Sequence, residues 1–297
     1  MTFQSHMIEA NRISIHCMVA GPDDAPLMLM LHGFPEYWTA WQQVAAHFTD
    51  THRVVLPDQR GFNLTSKPAD GSDYDTKHLV ADMIALMDAI APGRTFVLCG
   101  HDWGASVAYA LAMRHPERVE RLVIANGVHP VCFQKALYAA GPQTRASQYM
   151  NVLRAEGVED RLSENNFSRL LGMFEKFSAA PWLDEATRSA YRTAWSQPGA
   201  MSAMLNWYRS SPMVVPETDT PAQPLDITDA MREKYRIAMP HLLLWGEQDT
   251  ALLHEARADL SEFCDDLTTV DNADASHWIL HEQPQWVAKQ MKNFLSA

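Results

Sequence analysis

The chain has 297 residues, 47% of them hydrophobic and 20% charged, enough to bury a large core and unlike a disordered segment. Lys and Arg total 24 against 36 Asp and Glu, and the resulting net charge of −12 argues against a nucleic-acid backbone or an anionic membrane as partner. Strongly anionic substrates are disfavoured too, unless local arginines gather them.

Cys17, Cys99, Cys132 and Cys264 lie far apart without CxxC spacing, so neither a disulfide framework nor a zinc site is expected. The N-terminal stretch lacks a basic segment followed by an apolar one, and no apolar run approaches the ~20 residues that span a bilayer. These features predict a cytoplasmic protein, monomeric or homodimeric, with no membrane or nucleic-acid partner. In chain order, the first twenty residues alternate around a turn at Glu9-Ala10-Asn11 and predict an antiparallel hairpin. Near-continuous apolar runs follow at 26–31, 53–57, 95–99, 121–125, 241–245 and 267–270, the pattern of buried parallel strands. Helical periodicity at 77–90 and 105–114 lies between them, the second run stopped by Pro116. The alternation predicts an α/β fold with a mostly parallel central sheet flanked by helices.

That rhythm breaks between 130 and 235. Helical patterns near 144–156, 167–177, 184–195 and 199–209 are followed by a proline-rich passage at Pro212, Pro216, Pro221 and Pro224. An α/β core formed by 1–129 and 236–297, with an all-helical cap of 130–235 inserted in it, accounts for the break.

Gly100-His101-Asp102-Trp103-Gly104 falls between a strand ending at Cys99 and a helix starting near Ala105. A G-x-nucleophile-x-G turn in that setting is a nucleophile elbow, which projects one side chain above the sheet. Here that side chain is Asp102; its plainer alternative is a helix N-cap, a position Asp also favours. His32-Gly33-Phe34-Pro35 follows the strand at 26–31, where such folds place one backbone donor of an oxyanion hole, the other coming from the residue after the nucleophile. Phe34 and Trp103 are therefore the expected donors. An acid and a histidine should follow in that order. Asp249, in Trp245-Gly246-Glu247-Gln248-Asp249, ends a strand, and His277 sits in the loop after the last one. His277 and His281 with Asp274 and Glu282 could form a metal cluster, but His281-Glu282-Gln283-Pro284 reads as the start of a surface helix, and no metal is expected.

Together these segments resemble the α/β-hydrolase superfamily and, within it, the epoxide hydrolases with an aspartate nucleophile. The resemblance rests on HGFP, PDQRGF at 57–62, GHDWGA, WGEQD and the His277 loop, and so spans nearly the whole chain. It implies an α/β-hydrolase fold and conversion of a neutral hydrophobic epoxide to a vicinal diol, with water as co-substrate and no cofactor. Leu205-Asn206-Trp207-Tyr208-Arg209 is similar to the family's segment whose tyrosine binds the epoxide oxygen, which implies that role for Tyr208. Tyr149 matches the second such tyrosine. Two departures stand out: Gln148 where relatives often carry Trp, and Ser276 where Gly usually precedes the base. By resemblance, Asp102 forms an alkyl-enzyme ester that His277, oriented by Asp249, hydrolyses through an activated water. Trp38, Pro130, Met150, Leu153, Phe174 and Trp278, with Phe34 and Trp103, are candidate pocket walls.

A carboxylate attacking an ester would yield an uphill anhydride, so Asp102 favours substrates with a leaving group on sp³ carbon. Alkyl halides qualify as well as epoxides, and haloalkane dehalogenases share an elbow Asp followed by Trp. They need a second halide donor, however, and Phe34 offers none. Fluoroacetate dehalogenases carry arginines one and four residues after the nucleophile, where this chain has Trp103 and Ser106. A non-catalytic small-molecule receptor on the same scaffold is a further alternative.

Overall fold

The computed structural model describes residues 2–297. Its centre is an eight-stranded sheet: β1 (Gln4–Ala10), β2 (Ile13–Ala20), β3 (Leu27–Leu31), β4 (Arg53–Pro57), β5 (Phe96–His101), β6 (Val119–Ala125), β7 (His241–Gly246) and β8 (Leu267–Asn272). The spatial order is β1-β2-β4-β3-β5-β6-β7-β8. β2 runs antiparallel to both β1 and β4, and every later pairing is parallel. All residues of β3, β5 and β7 are buried, which is why their sequences read as unbroken apolar runs.

The turn of the β1–β2 hairpin is centred on Asn11 and Arg12, at φ 47° and 65°, slightly later than the sequence placed it. Two successive positive φ values suit the strands' right-handed twist. Two apolar layers flank the sheet. One contains Trp41, Phe48, Ile279, Val287 and Met291; the other joins the helices Thr76–Ile90 and Trp103–Arg114 to the helical segment between β6 and β7.

That segment carries helices at Pro130–Tyr138, Pro142–Ala146, Gln148–Arg154, Val158–Lys176, Glu185–Trp195, Ala200–Arg209 and Asp229–Lys234. The single helix expected over 144–156 is split at Ser147, whose hydroxyl is held by the Gln143 amide 2.8 Å away. Val158–Lys176 starts earlier than expected but is interrupted by Asn165, Asn166 and Phe167, at φ 50°, 56° and 61°. Asparagine tolerates that left-handed region, so the helical rhythm resumes close to where periodicity placed it. Indole hydrogen bonds fasten the segment to the core: Trp195 to the Pro35 carbonyl at 2.6 Å and Trp207 to the Arg60 carbonyl at 2.9 Å.

The expected surface helix at 281–284 is a correction. His281 and Glu282 end a short helix, Ile279–Glu282, and a longer one begins at Pro284, but His281 turns inward, 2.6 Å from Glu36 and stacked on Trp182. A buried carboxylate draws the imidazole off the surface. Among the described residues no helix is long and apolar enough to cross a membrane.

Candidate active site

β5 delivers Asp102 to the carboxyl edge of the sheet. Its backbone adopts φ 51°, ψ −120°, a conformation that an L-residue holds only when its surroundings enforce it. The enforcement comes from close packing: a Cβ on Gly104 would overlap the carbonyl oxygens of Leu31 and His32 at the end of β3. The helix therefore starts directly against β3, and the turn before it must be sharp. Gly33 is equally constrained, since a Cβ there would run into the Asp102 side chain.

That closeness lets the Phe34 amide donate to Asp102 Oδ1 at 2.7 Å. Trp103 opens the helix Trp103–Arg114, so its amide is among the first-turn donors that have no partner within the helix. The HGFP loop is fixed from behind by His32, whose Nδ1 faces the Gly33 carbonyl and whose Nε2 accepts from the Gln59 amide.

On the other side stands His277. Its Nδ1 lies 2.8 Å from Asp249 Oδ2, and its Nε2 lies 3.6 Å from Asp102 Oδ2. Asp249 is anchored by three further contacts. Its Oδ1 accepts from the Ala251 and Leu252 amides at 2.8 and 2.9 Å, and its Oδ2 accepts from Asn126 Nδ2 at 2.8 Å. Asn126 in turn takes the Gly246 amide on its own side-chain oxygen. Sequence reading missed this asparagine; an amide side chain ending β6 before Gly127 was the available signal.

Burial opposes charge on the His277 ring, but the negative charge of Asp249, with Asp102 close by, outweighs it and holds the imidazole up at about 10. Burial likewise opposes charge on Asp249, yet His277, the Leu252 amide and Asn126 keep its carboxyl below the usual range.

Tyr208, on the helix Ala200–Arg209, is wedged edge-on between Phe34 and Trp103, with ring centroids 5.0 Å from each. Tyr149, on the helix Gln148–Arg154, faces it at 6.4 Å. The Trp103 side chain lies within hydrogen-bonding reach of the Tyr208 hydroxyl. Burial, then the negative charge of Asp102, pushes Tyr149 well above its ordinary value; burial does the same to Tyr208, helped by Tyr149 and Asp102. Both phenols thus remain donors across the neutral range.

Asp102, Trp103, Tyr149 and Tyr208 share one cavity of about 500 Å³. Of the candidate walls, Pro130 and Met150 line it, together with Ser106, Val128, Phe133, Met213 and Leu252, which sequence reading did not single out. Ser106 and Ala110 follow Trp103 at helical spacing, so their facing the cavity was inferable once the elbow was placed. Phe34, Trp38, Leu153, Phe174 and Trp278 are not among its lining residues. Phe34 instead contributes its amide and backs Tyr208. Phe174 and Trp278 belong to an aromatic cluster with Trp182, Tyr191 and Trp195. Leu153 is buried in the main core, and Trp38 packs against Phe3 and Tyr37.

A carboxylate set on a strand–turn–helix elbow, in a sheet of this strand order, defines an α/β hydrolase. The α/β hydrolase fold family matches residues 26–284. Epoxide hydrolase 2 of Caenorhabditis elegans is 34% identical over 97% of this chain and 79% of its own. The AB hydrolase superfamily protein YfhM of Bacillus subtilis (strain 168) is 32% identical over 97% and 96%. Among solved structures, one from a set of epoxide hydrolases found in hot-environment metagenomes has 34% identity and a TM-score of 0.89 over 99% of each chain. The Bacillus megaterium epoxide hydrolase in complex with an inhibitor has 29% identity and a TM-score of 0.87, covering 98% of this chain and 100% of its own. The chain belongs to the α/β-hydrolase superfamily, within its epoxide hydrolase family.

Proposed function

We propose that the protein converts a neutral, hydrophobic epoxide to a vicinal diol through a covalent ester on Asp102. One observation carries this reading: the elbow presents a carboxylate, and two phenols share its cavity. An elbow carboxylate suits attack on sp³ carbon, and paired phenols suit an oxygen leaving group. The epoxide hydrolase relatives support the same assignment.

Asp102 Oδ1 is engaged by the Phe34 amide, which leaves Oδ2 as the attacking oxygen. As Oδ2 bonds to one epoxide carbon, that carbon's bond to oxygen breaks. Tyr208 and Tyr149 donate to the developing alkoxide, which takes up the proton that His277 releases as the Asp102 charge is consumed and so becomes the first hydroxyl of the diol. Preorganised donors of this kind are typically worth 10²–10³ in rate each.

Esterification removes the charge on Asp102, so the proton affinity of His277 falls and the ring becomes a base. It takes a proton from water, which attacks the ester carbonyl of Asp102; the tetrahedral oxyanion at Oδ1 meets the Phe34 and Trp103 amides. The intermediate collapses, the second proton of the attacking water passes to the departing oxygen, and the carboxylate is regenerated as the diol leaves. Asp249 holds His277 in the tautomer that exposes Nε2, in the manner of other acid–histidine pairs. Residues 130–235 act as the cap: they supply both phenols and much of the apolar wall. Its size lies in the usual range for a small-molecule site. The four free cysteines fit a reducing compartment, and we place the protein in the cytoplasm.

The test offers the protein a neutral aryl epoxide and a matched alkyl bromide, with diol and halide measured in parallel and Asp102→Ala as the blank. Asp102-dependent diol with little halide is expected. Halide without diol would make the protein a dehalogenase. No product from either, or diol from Asp102→Ala, would overturn the reading.

A further inference from the structure

Behind the His277 loop lies a buried charged cluster that ring opening does not use. Glu36 is 1% exposed. Its Oε2 is 3.1 Å from His101 Nδ1, while its Oε1 is 2.6 Å from His281 Nε2 and accepts from the Tyr191 hydroxyl at 3.2 Å. Burial would raise this carboxyl, but the hydrogen bonds and charges of His101 and His281 hold it far below the usual range. The three donors come from separate parts of the chain. His101 ends β5 immediately before Asp102, His281 follows the His277 loop, and Tyr191 lies on the cap helix Glu185–Trp195.

The second ring nitrogen of His101 points elsewhere. Nε2 lies 2.8 Å from the backbone carbonyl of His277. Both ring nitrogens of His101 thus face acceptors, the Glu36 carboxylate on one side and the His277 carbonyl on the other, which fixes the ring between them. Among the described residues no other side chain takes the His277 carbonyl. Glu282 provides a second tie between cap and base loop: Oε2 accepts from the Ser276 amide at 2.7 Å, and Oε1 accepts from the Ala179 amide of the cap, also at 2.7 Å.

We propose that His101 and Glu36 are positioning residues for the base, and that Tyr191 couples them to the cap. The chain from Tyr191 through Glu36 and His101 to the His277 carbonyl sets where the His277 imidazole stands over Asp102. Asp102 itself is placed by the elbow and the Phe34 amide, which do not pass through this chain. Loss of the cluster should therefore slow hydrolysis of the ester and leave its formation alone. This inference rests on His277 acting as the base of the second step.

The test mixes the enzyme rapidly with styrene oxide, quenches it, and follows the ester by intact-protein mass spectrometry. For His101→Phe, ester formation within about threefold of wild type and hydrolysis slowed by roughly 10²-fold are expected, the scale of an ångström's misplacement of a catalytic group. His101→Gln, which can still donate to the carbonyl, should recover part of the loss. Tyr191→Phe, a substitution the fold should accept, should slow hydrolysis several-fold with ester formation unchanged. If His101→Phe fails to fold, Tyr191→Phe is judged by the same criteria. Equal slowing of both steps would make the cluster a structural staple and overturn the proposal, as would unchanged hydrolysis in folded Tyr191→Phe. Wild-type enzyme that forms diol without any ester would refute the covalent reading itself, a result distinct from a variant effect.

Discussion

Asp249→Asn separates orientation from charge at the base. In the native site Oδ1 accepts two backbone amides, and Oδ2 accepts from Asn126 while facing His277 Nδ1. The two amides force the asparagine oxygen into the Oδ1 position, so its NH₂ takes the place of Oδ2 and meets two donors. The least costly escape is a change of tautomer: His277 Nδ1 becomes the acceptor and the proton moves to Nε2, facing Asp102. In that form Nε2 cannot accept a proton from water.

A wrong-tautomer substitution of this kind costs about 10⁴ in turnover in acid–histidine–nucleophile triads. That is a rise of about 5.4 kcal/mol in the barrier, at about 1.36 kcal/mol per factor of ten. The clash with Asn126 should add about 1–3 kcal/mol of destabilisation, the usual cost of an unsatisfied buried donor. The assay is rapid quench with an aryl epoxide, with the ester quantified by mass and stability followed by denaturant unfolding. Expected are near-normal ester formation, an ester that persists, and a lowered unfolding midpoint. Steady turnover within threefold of wild type would refute the reasoning, as would failure to form the ester in a folded variant.

The remaining predictions are narrower. Tyr208→Phe and Tyr149→Phe should each slow ring opening by roughly 10²-fold, and the double variant far more, because one donor partly covers for the other; near-normal kinetics in the double variant would place oxygen stabilisation elsewhere. His277 is held at about 10 partly by the Asp102 charge, so hydrolysis of the ester, with that charge gone, should follow a lower apparent pKa than the free enzyme's ring shows by NMR titration; equal values would exclude the proposed change in basicity. Gly104→Ala should destabilise the fold by about 1–3 kcal/mol or more, since the opposing atoms are backbone carbonyls that cannot rotate away; an unchanged melting temperature would refute the tight elbow packing.

The sheet was legible because β3, β5 and β7 are buried on both faces, and such strands announce themselves as apolar runs. The elbow was legible because its glycines have a single steric purpose. Less of the helical segment could be read. A mid-helix serine and two asparagines decide where its helices break, and their effect depends on a partner amide and on left-handed turns that periodicity does not register. Aromatic walls were the least legible feature. Phe174 and Trp278 suit a cavity as well as a core, and only the packing of Trp182, Tyr191 and Trp195 around them decides the matter. His281 failed for the same reason: Glu36, more than two hundred residues earlier, sets its direction.

The most direct measurement is a single turnover in H₂¹⁸O with enzyme in excess over epoxide, followed by mass analysis of the diol and of the peptide containing Asp102. The ester mechanism predicts ¹⁸O in the Asp102 carboxylate and unlabelled oxygen in the diol. Label in the diol, with none in Asp102, would mean that water attacks the epoxide carbon directly and that Asp102 is not the nucleophile.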